Sequence, residues 1–205
     1  EERQTDGNTF VQAWWQQNVS TAYSARLLAK YACYNTHYVN RDTTTYMADN
    51  RYRQQETYLS TSHLLEIMPG WNMSACCDMR WSTLWSDMPA FRFPQRLHGM
   101  AALATVADLG KAKVQGSLLV NIVSDRLEDA VSPSPLVRWT PAIFVNFTPF
   151  GNGALAFRAF AKRSFRMPTF NDLYYADMGN AALRPETALQ LDAGAEYSRG
   201  RLNSM

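Results

Sequence analysis

Between residues 71 and 85 apolar and polar side chains alternate with few exceptions. Trp71, Met73, Ala75, Cys77, Met79, Trp81 and Trp85 share one parity; Asn72, Ser74, Cys76, Asp78, Arg80 and Ser82 share the other. A β-strand sends successive side chains to opposite faces, so this period of two predicts a strand with one apolar and one wet surface. The same division recurs over 137–148, where Val137, Trp139, Ile143, Val145 and Phe147 oppose Arg138, Thr140, Asn146 and Thr148. Over 112–124, Val114, Leu118, Val120 and Ile122 oppose Lys113, Gln115, Ser117 and Asn121. Extended along the chain, the pattern predicts about nine strands, at 10–17, 23–39, 52–67, 71–85, 95–108, 112–124, 137–148, 154–165 and 188–198. Two of them have faces with too little contrast to assign: 95–108 is rich in Gly99, Ala101, Ala102 and Ala104, and 52–67 sets His63 among Leu59, Leu65 and Ile67. Arg163 falls in register with Leu155, Phe157 and Ala161, which aims it toward the apolar side. Pro141 lies mid-strand, where its missing N–H predicts a bulge or a local break in the ladder.

The connections alternate in length. Short ones fall at 18–22, 68–70, 109–111 and 150–153, long ones at 40–51, 86–94, 125–136 and 166–187. Short turns at one end and long loops at the other are the rhythm of an up-and-down meander whose ends face different compartments. Alternation alone is equally compatible with a soluble antiparallel sheet that buries one face. Strand length, about 10 to 15 residues, and the loop rhythm favour strands that cross a bilayer at a tilt. The fold class expected is therefore all-β, an antiparallel up-and-down meander forming part of a transmembrane β-barrel.

Composition narrows the partners. Aromatic residues make up 13% of the 205 positions, with six Trp and ten Tyr, which suits rings placed at membrane edges. No apolar run approaches the roughly 18 residues of a transmembrane helix, whereas membrane strands expose only alternate residues to lipid and escape a hydropathy average. A net charge of +2 is too small and dispersed for nucleic acid. Cys33, Cys76 and Cys77 form neither an even disulfide framework nor a CxxC pair, and read as small apolar residues. His37, His63 and His98 sit on three different strands without ligand spacing, and Gly151-Asn152-Gly153 reads as a tight turn. No catalytic residues, metal ligands or cofactor are expected, and the chain is not expected to be an enzyme. It opens at Glu1 without an export signal, and residues 201–205 read as a strand just beginning, so an internal segment of a longer protein is expected.

Binding chemistry belongs on the long loops, which rigid strands hold apart. Tyr46, Arg92, Asn171, Asp172, Tyr174 and Tyr175 combine aromatic faces with hydrogen-bonding or charged groups and are the candidate ligand-binding residues. The competing reading places Phe91, Phe93, Tyr174 and Tyr175 in an aromatic girdle or in loop packing. The run Phe165-Arg166-Met167-Pro168-Thr169-Phe170-Asn171-Asp172-Leu173-Tyr174-Tyr175, followed by Gly179-Asn180 and Leu183-Arg184-Pro185-Glu186, resembles the late barrel region of TonB-dependent outer-membrane receptors. Arg92-Phe93-Pro94, Gln115-Gly116-Ser117-Leu118-Leu119 and Trp139-Thr140-Pro141-Ala142 are similar to consecutive barrel hairpins of that family, most like those of the Bacteroidota.

The resemblance implies a barrel of about 22 strands with a plugged lumen. It also implies the outer membrane as location, its lipid as a partner, and a small-molecule or metal-chelate ligand such as a siderophore, haem or cobalamin. TonB would act through a plug and box that, like the closing strands, are expected to lie outside this chain. The alternative from another class is a soluble, secreted β-sandwich that presents Trp and Tyr to carbohydrate, with the Trp71, Trp81 and Trp85 face packed beneath a second sheet.

Overall fold

The computed structural model describes residues 2–41, 47–89, 91–128, 131–150, 153–174, 179–199 and 202–204. Nine long strands run in chain order: β1 (Glu2–Asn18), β2 (Tyr23–Asn40), β3 (Ala48–Met68), β4 (Trp71–Ser86), β5 (Gln95–Asp108), β6 (Ala112–Arg126), β7 (Leu136–Phe147), β8 (Leu155–Arg166) and β9 (Glu186–Arg199). A short β10 (Leu202–Ser204) follows, and a single helical turn, α1 (Phe170–Tyr174), interrupts the loop between β8 and β9. All ten strands form one antiparallel sheet in sequential order. No second sheet covers it among the described residues, so the sandwich alternative lacks its other layer.

Register assigns every face, because directly opposed residues share one. Thr57, Trp81, Leu97 and Ser124 stand on one rung, and Leu59, Met79, Gly99, Ile122 and Val137 on the next. The two strands of uncertain face are thereby resolved: Leu97, Ala101 and Leu103 of β5 and Leu59, His63 and Leu65 of β3 join the apolar outer face. His63 is accommodated there by two hydroxyls, Tyr23 Oη at 2.8 Å from Nδ1 and Thr61 Oγ1 at 3.0 Å from Nε2. The opposite face, here called the lumen face, carries Glu56, Tyr58, Ser60, Asp78 and Arg80. Ser60 donates to Asp78 at 2.6 Å, and the Arg80 guanidinium lies 5.7 Å from the Tyr58 ring centre.

Outer-face rings gather at two heights. Trp71, Tyr23 and Tyr197 lie near the short turns, while Trp81 and Trp139 lie toward the long loops. Trp71 and Trp81 are about 33 Å apart along β4 at the usual strand rise, which a tilt of about 40° reduces to roughly 25 Å of height. That matches the apolar band of a membrane barrel.

Two strands outrun the alternation pattern. β1 begins at Glu2 rather than near residue 10, and β3 begins at Ala48, opposite Asn40, rather than at residue 52, so that residues 48–51 of the expected long connection at 40–51 join the ladder. Side chains there are polar on both faces, as in Thr36 donating to Asp6 at 2.7 Å and Tyr38 to Glu2 at 2.8 Å. Water on both sides removes the period of two while the backbone pairing persists. Pro141 causes no bulge toward β6, where it sits opposite Leu118. The ladder between β7 and β8 instead starts only at Ala142 opposite Lys162, leaving 136–141 without partners on that side. At the turn between β3 and β4, Gly70 has φ +84°, and a Cβ there would stand 3.3 Å from the Asp108 carbonyl oxygen. That carbonyl belongs to the neighbouring turn, whose Asp108 N–H donates to the Gly70 carbonyl at 2.7 Å.

Candidate functional site

An open sheet has little to bury, and its hydrophobic core is correspondingly local. Leu84, Met88, Phe91, Leu127, Phe170, Leu173 and Tyr174 form one buried cluster, with Tyr52, Phe93 and Met167 packed around it. Leu84 has lumen-face parity on β4, so three long loops fold inward over the lumen face at its outer end. β8 parts from β7 above Pro141, and the segment after it crosses to β5 and β6.

The crossing is held by an ion pair. Counting outward from the turn at 109–111 brings Arg96 opposite Asp125, both on the lumen face. Arg96 Nε and Nη2 donate to the two Asp125 oxygens at 2.7 Å each, with side chains 12% and 2% exposed. The third guanidinium nitrogen, Nη1, donates to the Pro168 carbonyl at 2.7 Å, and the Phe170 ring centre lies 5.0 Å from the guanidinium carbon. Tyr174 Oη donates to Asp125 Oδ2 at 2.9 Å. Each guanidinium nitrogen and each carboxylate oxygen of the buried pair thereby has a partner, the condition under which a desolvated ion pair is tolerated. Burial, with the adjacent Asp125 carboxylate, holds the Tyr174 phenol well above its ordinary pKa.

Helix α1 starts from a reciprocal cap. The Thr169 N–H donates to Asp172 Oδ2 at 2.8 Å, and the Asp172 N–H donates to Thr169 Oγ1 at 3.2 Å. The bond from the Thr169 N–H, then the Thr169 hydroxyl, lowers the Asp172 pKa below the usual carboxylate value. The Asp172 carbonyl also accepts from the Asn180 N–H at 2.8 Å, which closes the loop onto itself.

The candidate binding residues therefore divide. Arg92 and Asn171 are exposed, and they emerge from one packed unit because their neighbours Phe91 and Phe170 share the buried cluster. Asp172, though exposed, caps α1, and Tyr174 is buried in the latch. Phe91 is also buried, and Phe93 meets it edge-on at 5.5 Å with its backbone at φ +42°. These rings are loop packing on the lumen side and do not form a girdle. Tyr46 and Tyr175 lie outside the described residues. Sequence reasoning missed Arg96 and Asp125, although the turn position and the parity of the two strands were sufficient to pair them.

Comparison with known proteins agrees with this geometry. The family described as TonB dependent receptor-like, beta-barrel matches residues 113–204. No curated protein matches the sequence. Among solved structures, the FrpB iron transporter from Neisseria meningitidis (F3-3 variant) superposes with a TM-score of 0.73 at 12% identity, covering 97% of this chain and 35% of its own. Copper transporter OprC gives 0.67 at 13% identity, with 96% and 37% covered. BauA, the ferric preacinetobactin receptor from Acinetobacter baumannii, gives 0.58 at 10%, with 96% and 36% covered. At such identities the likeness is one of fold, and the chain spans little more than a third of the length of these structures. Residues 113–204 thus match the TonB-dependent receptor-like β-barrel family, whose members are outer-membrane proteins, and the same meander continues through the earlier strands.

Proposed function

We propose that this chain forms part of the barrel of an outer-membrane receptor that imports a scarce nutrient, a siderophore, haem, cobalamin or similar metal chelate, with energy delivered through TonB. The observation that carries the reading is the loop layer folded over the outer end of the lumen face and fixed there by Arg96, Asp125 and Tyr174. A layer so placed meets any solute before it reaches the channel. Within it Arg92 and Asn171 present a cation and an amide to solvent, groups suited to an anionic, oxygen-rich ligand; the reading adds Tyr46 and Tyr175, which lie outside the described residues, as further contacts. Asp172 and Tyr174 serve by holding the loop that presents Asn171.

The test is uptake of radiolabelled ferric and other metal chelates by cells with and without the complete receptor, in backgrounds with and without TonB. Receptor- and TonB-dependent accumulation of one chelate is expected, reduced when Arg92→Ala and Asn171→Ala are combined. Uptake of every chelate that ignores loss of the receptor, or of TonB, overturns the reading.

A further inference from the structure

The sheet has a seam. β7 stays paired with β6 from Phe147 to Leu136, and β8 stays paired with β9 as far as Arg166 opposite Glu186, yet the ladder joining β7 to β8 stops at Ala142 opposite Lys162. Above that rung two strand edges, 136–141 and 163–166, stand apart. Pro141 accounts for only part of the break. The β6 ladder runs through Pro141 although it cannot donate, so its backbone turns toward β8, and alternation along an antiparallel strand turns the backbone groups of Trp139 and Val137 the same way. A proline removes one donor, but Trp139 and Val137, which could resume the ladder, do not. The Val137 carbonyl instead accepts from Nη1 of its neighbour Arg138 at 2.9 Å.

What holds the seam open is the continuation of β8 itself. Beyond Arg166, Met167 packs against the buried loop cluster, the Pro168 carbonyl accepts from Arg96 Nη1, and Tyr174 donates to Asp125. Continued without a slip, the register of β7 and β8 sets Phe165 opposite Trp139 and Met167 opposite Val137. At the usual strand spacing a β8 so paired stands about 14 Å from β5, farther than the Arg96 side chain and one hydrogen bond can bridge to Pro168. The two arrangements therefore exclude each other. Each leaves unmade what the other makes. The latch leaves backbone groups of Trp139 and Val137 without a strand beside an apolar, half-exposed outer surface, and the ladder leaves Arg96 and Asp125 without the partners that the loop supplies.

We propose that the outer end of β8 is a gate with two positions. Latched, it lies over the outer end of the lumen face, held by Arg96, Asp125 and Tyr174. Zipped, residues 165–167 add to the free edge of β7 and draw α1 off that face. Both positions are hydrogen-bonded and the path between them is not, so the segment switches between discrete states and does not slide. Asp125 sets the balance, because it orients the guanidinium that receives Pro168 and itself receives Tyr174. The inference rests on the loop layer lying over the lumen face and needs neither the cargo nor TonB, so it stands or falls apart from the uptake measurement.

In the complete receptor, without any chelate, amide exchange is followed at Trp139 and Phe165, whose N–H groups face the seam, and at 169–174. Asp125→Asn is expected to quicken exchange at 169–174 and to slow it about tenfold or more at Trp139 and Phe165, a gain of protection that simple loosening of the loop does not produce. Pro141→Ala, which restores the missing donor and leaves the ion pair alone, is expected to move both sets in the same directions, and it carries the test should Asp125→Asn fail to fold. With Cys33, Cys76 and Cys77 replaced by Ala, the pair V137C/M167C should form a disulfide about tenfold faster or more once D125N is added, since opposed strand residues stand within bridging distance. Exchange at Trp139 and Phe165 that is unchanged or faster in the variants, or disulfide formation indifferent to D125N, overturns the inference.

Discussion

Asp125 concentrates more of the rim's organisation than any other residue, since one carboxylate receives Arg96 through two nitrogens and Tyr174 through its hydroxyl. Asp125→Asn removes the counter-charge paired with the largely buried Arg96 guanidinium, and the expected cost is about 3–5 kcal/mol. Tyr174→Phe removes one hydrogen bond to a charged group, at about 1.5–3 kcal/mol. In both variants limited proteolysis and amide exchange are expected to show 167–174 opening while the strands stay protected; unchanged protection would show that the latch does not hold the loop. Asp172 adds a pH dependence. Its carboxylate pKa is lowered in the folded loop, so its contribution is complete above the unfolded-state value and is lost as pH falls through the folded one. Amide exchange at Thr169 should therefore quicken on acidification below about pH 4 in the wild type, and Asp172→Asn should abolish that step.

At the scale of the strand, one register decides whether a charge is tolerated. Leu118 and Ser117 are neighbours in β6, yet Leu118 faces outward between Leu103 and Pro141 while Ser117 faces the lumen. In the complete barrel, Leu118→Arg is expected to destabilise folding into bilayers by about 2–4 kcal/mol, and Ser117→Arg by much less. Equal effects in denaturant titrations would contradict the assignment of faces. Arg163 is consistent with the same rule, because its position near the outer end of β8 lies where lipid-facing arginine costs about 0–1 kcal/mol. Pro141 shows how one residue shapes an element. Without an N–H it ends the β7 ladder toward β8, and the freed end of β8 leads into the segment that crosses to Arg96.

The whole sheet has two ends, β1 and β10, and strand edges are not tolerated in hydrocarbon because each unpaired backbone group there costs several kcal/mol. Expressed alone, residues 1–205 are expected to fail to insert into bilayers as a heat-modifiable species and to aggregate through those edges. Within the complete receptor the same strands should resist proteolysis. Recovery of the isolated chain as a stable, monomeric membrane protein would show that the sheet closes on itself. The lumen face, with charges of both signs along the strands, and the outer face, with an uncharged run from Leu97 to Ala107 and from Val114 to Ser124, also require that the two surfaces meet different media.

Alternation alone fixed the strands from β4 to β9 to within a residue or two at most ends, because lipid accepts one set of side chains and water the other, and that demand is written at every second position. It also carried the family resemblance, since the run from Phe165 to Glu186 combines cap, aromatic and turn residues whose order is local. Where both faces are wet, as in Glu2–Thr9 and around Asn40, the chain has no such imprint, and only pairing with β2 and β3 made those segments strands. The faces of β3 and β5 likewise came from their neighbours, through the rungs shared with β4 and β6. The roles of the rim residues were the least legible. Asn171, Asp172 and Tyr174 look alike as polar or aromatic loop positions, and their separation into exposed side chain, helix cap and buried latch depends on Asp125, which is distant in sequence and reaches Tyr174 only when the loop folds inward. A sequence records which medium each position of a strand must face, but which side chain receives a buried hydrogen bond is decided by where distant loops come to rest.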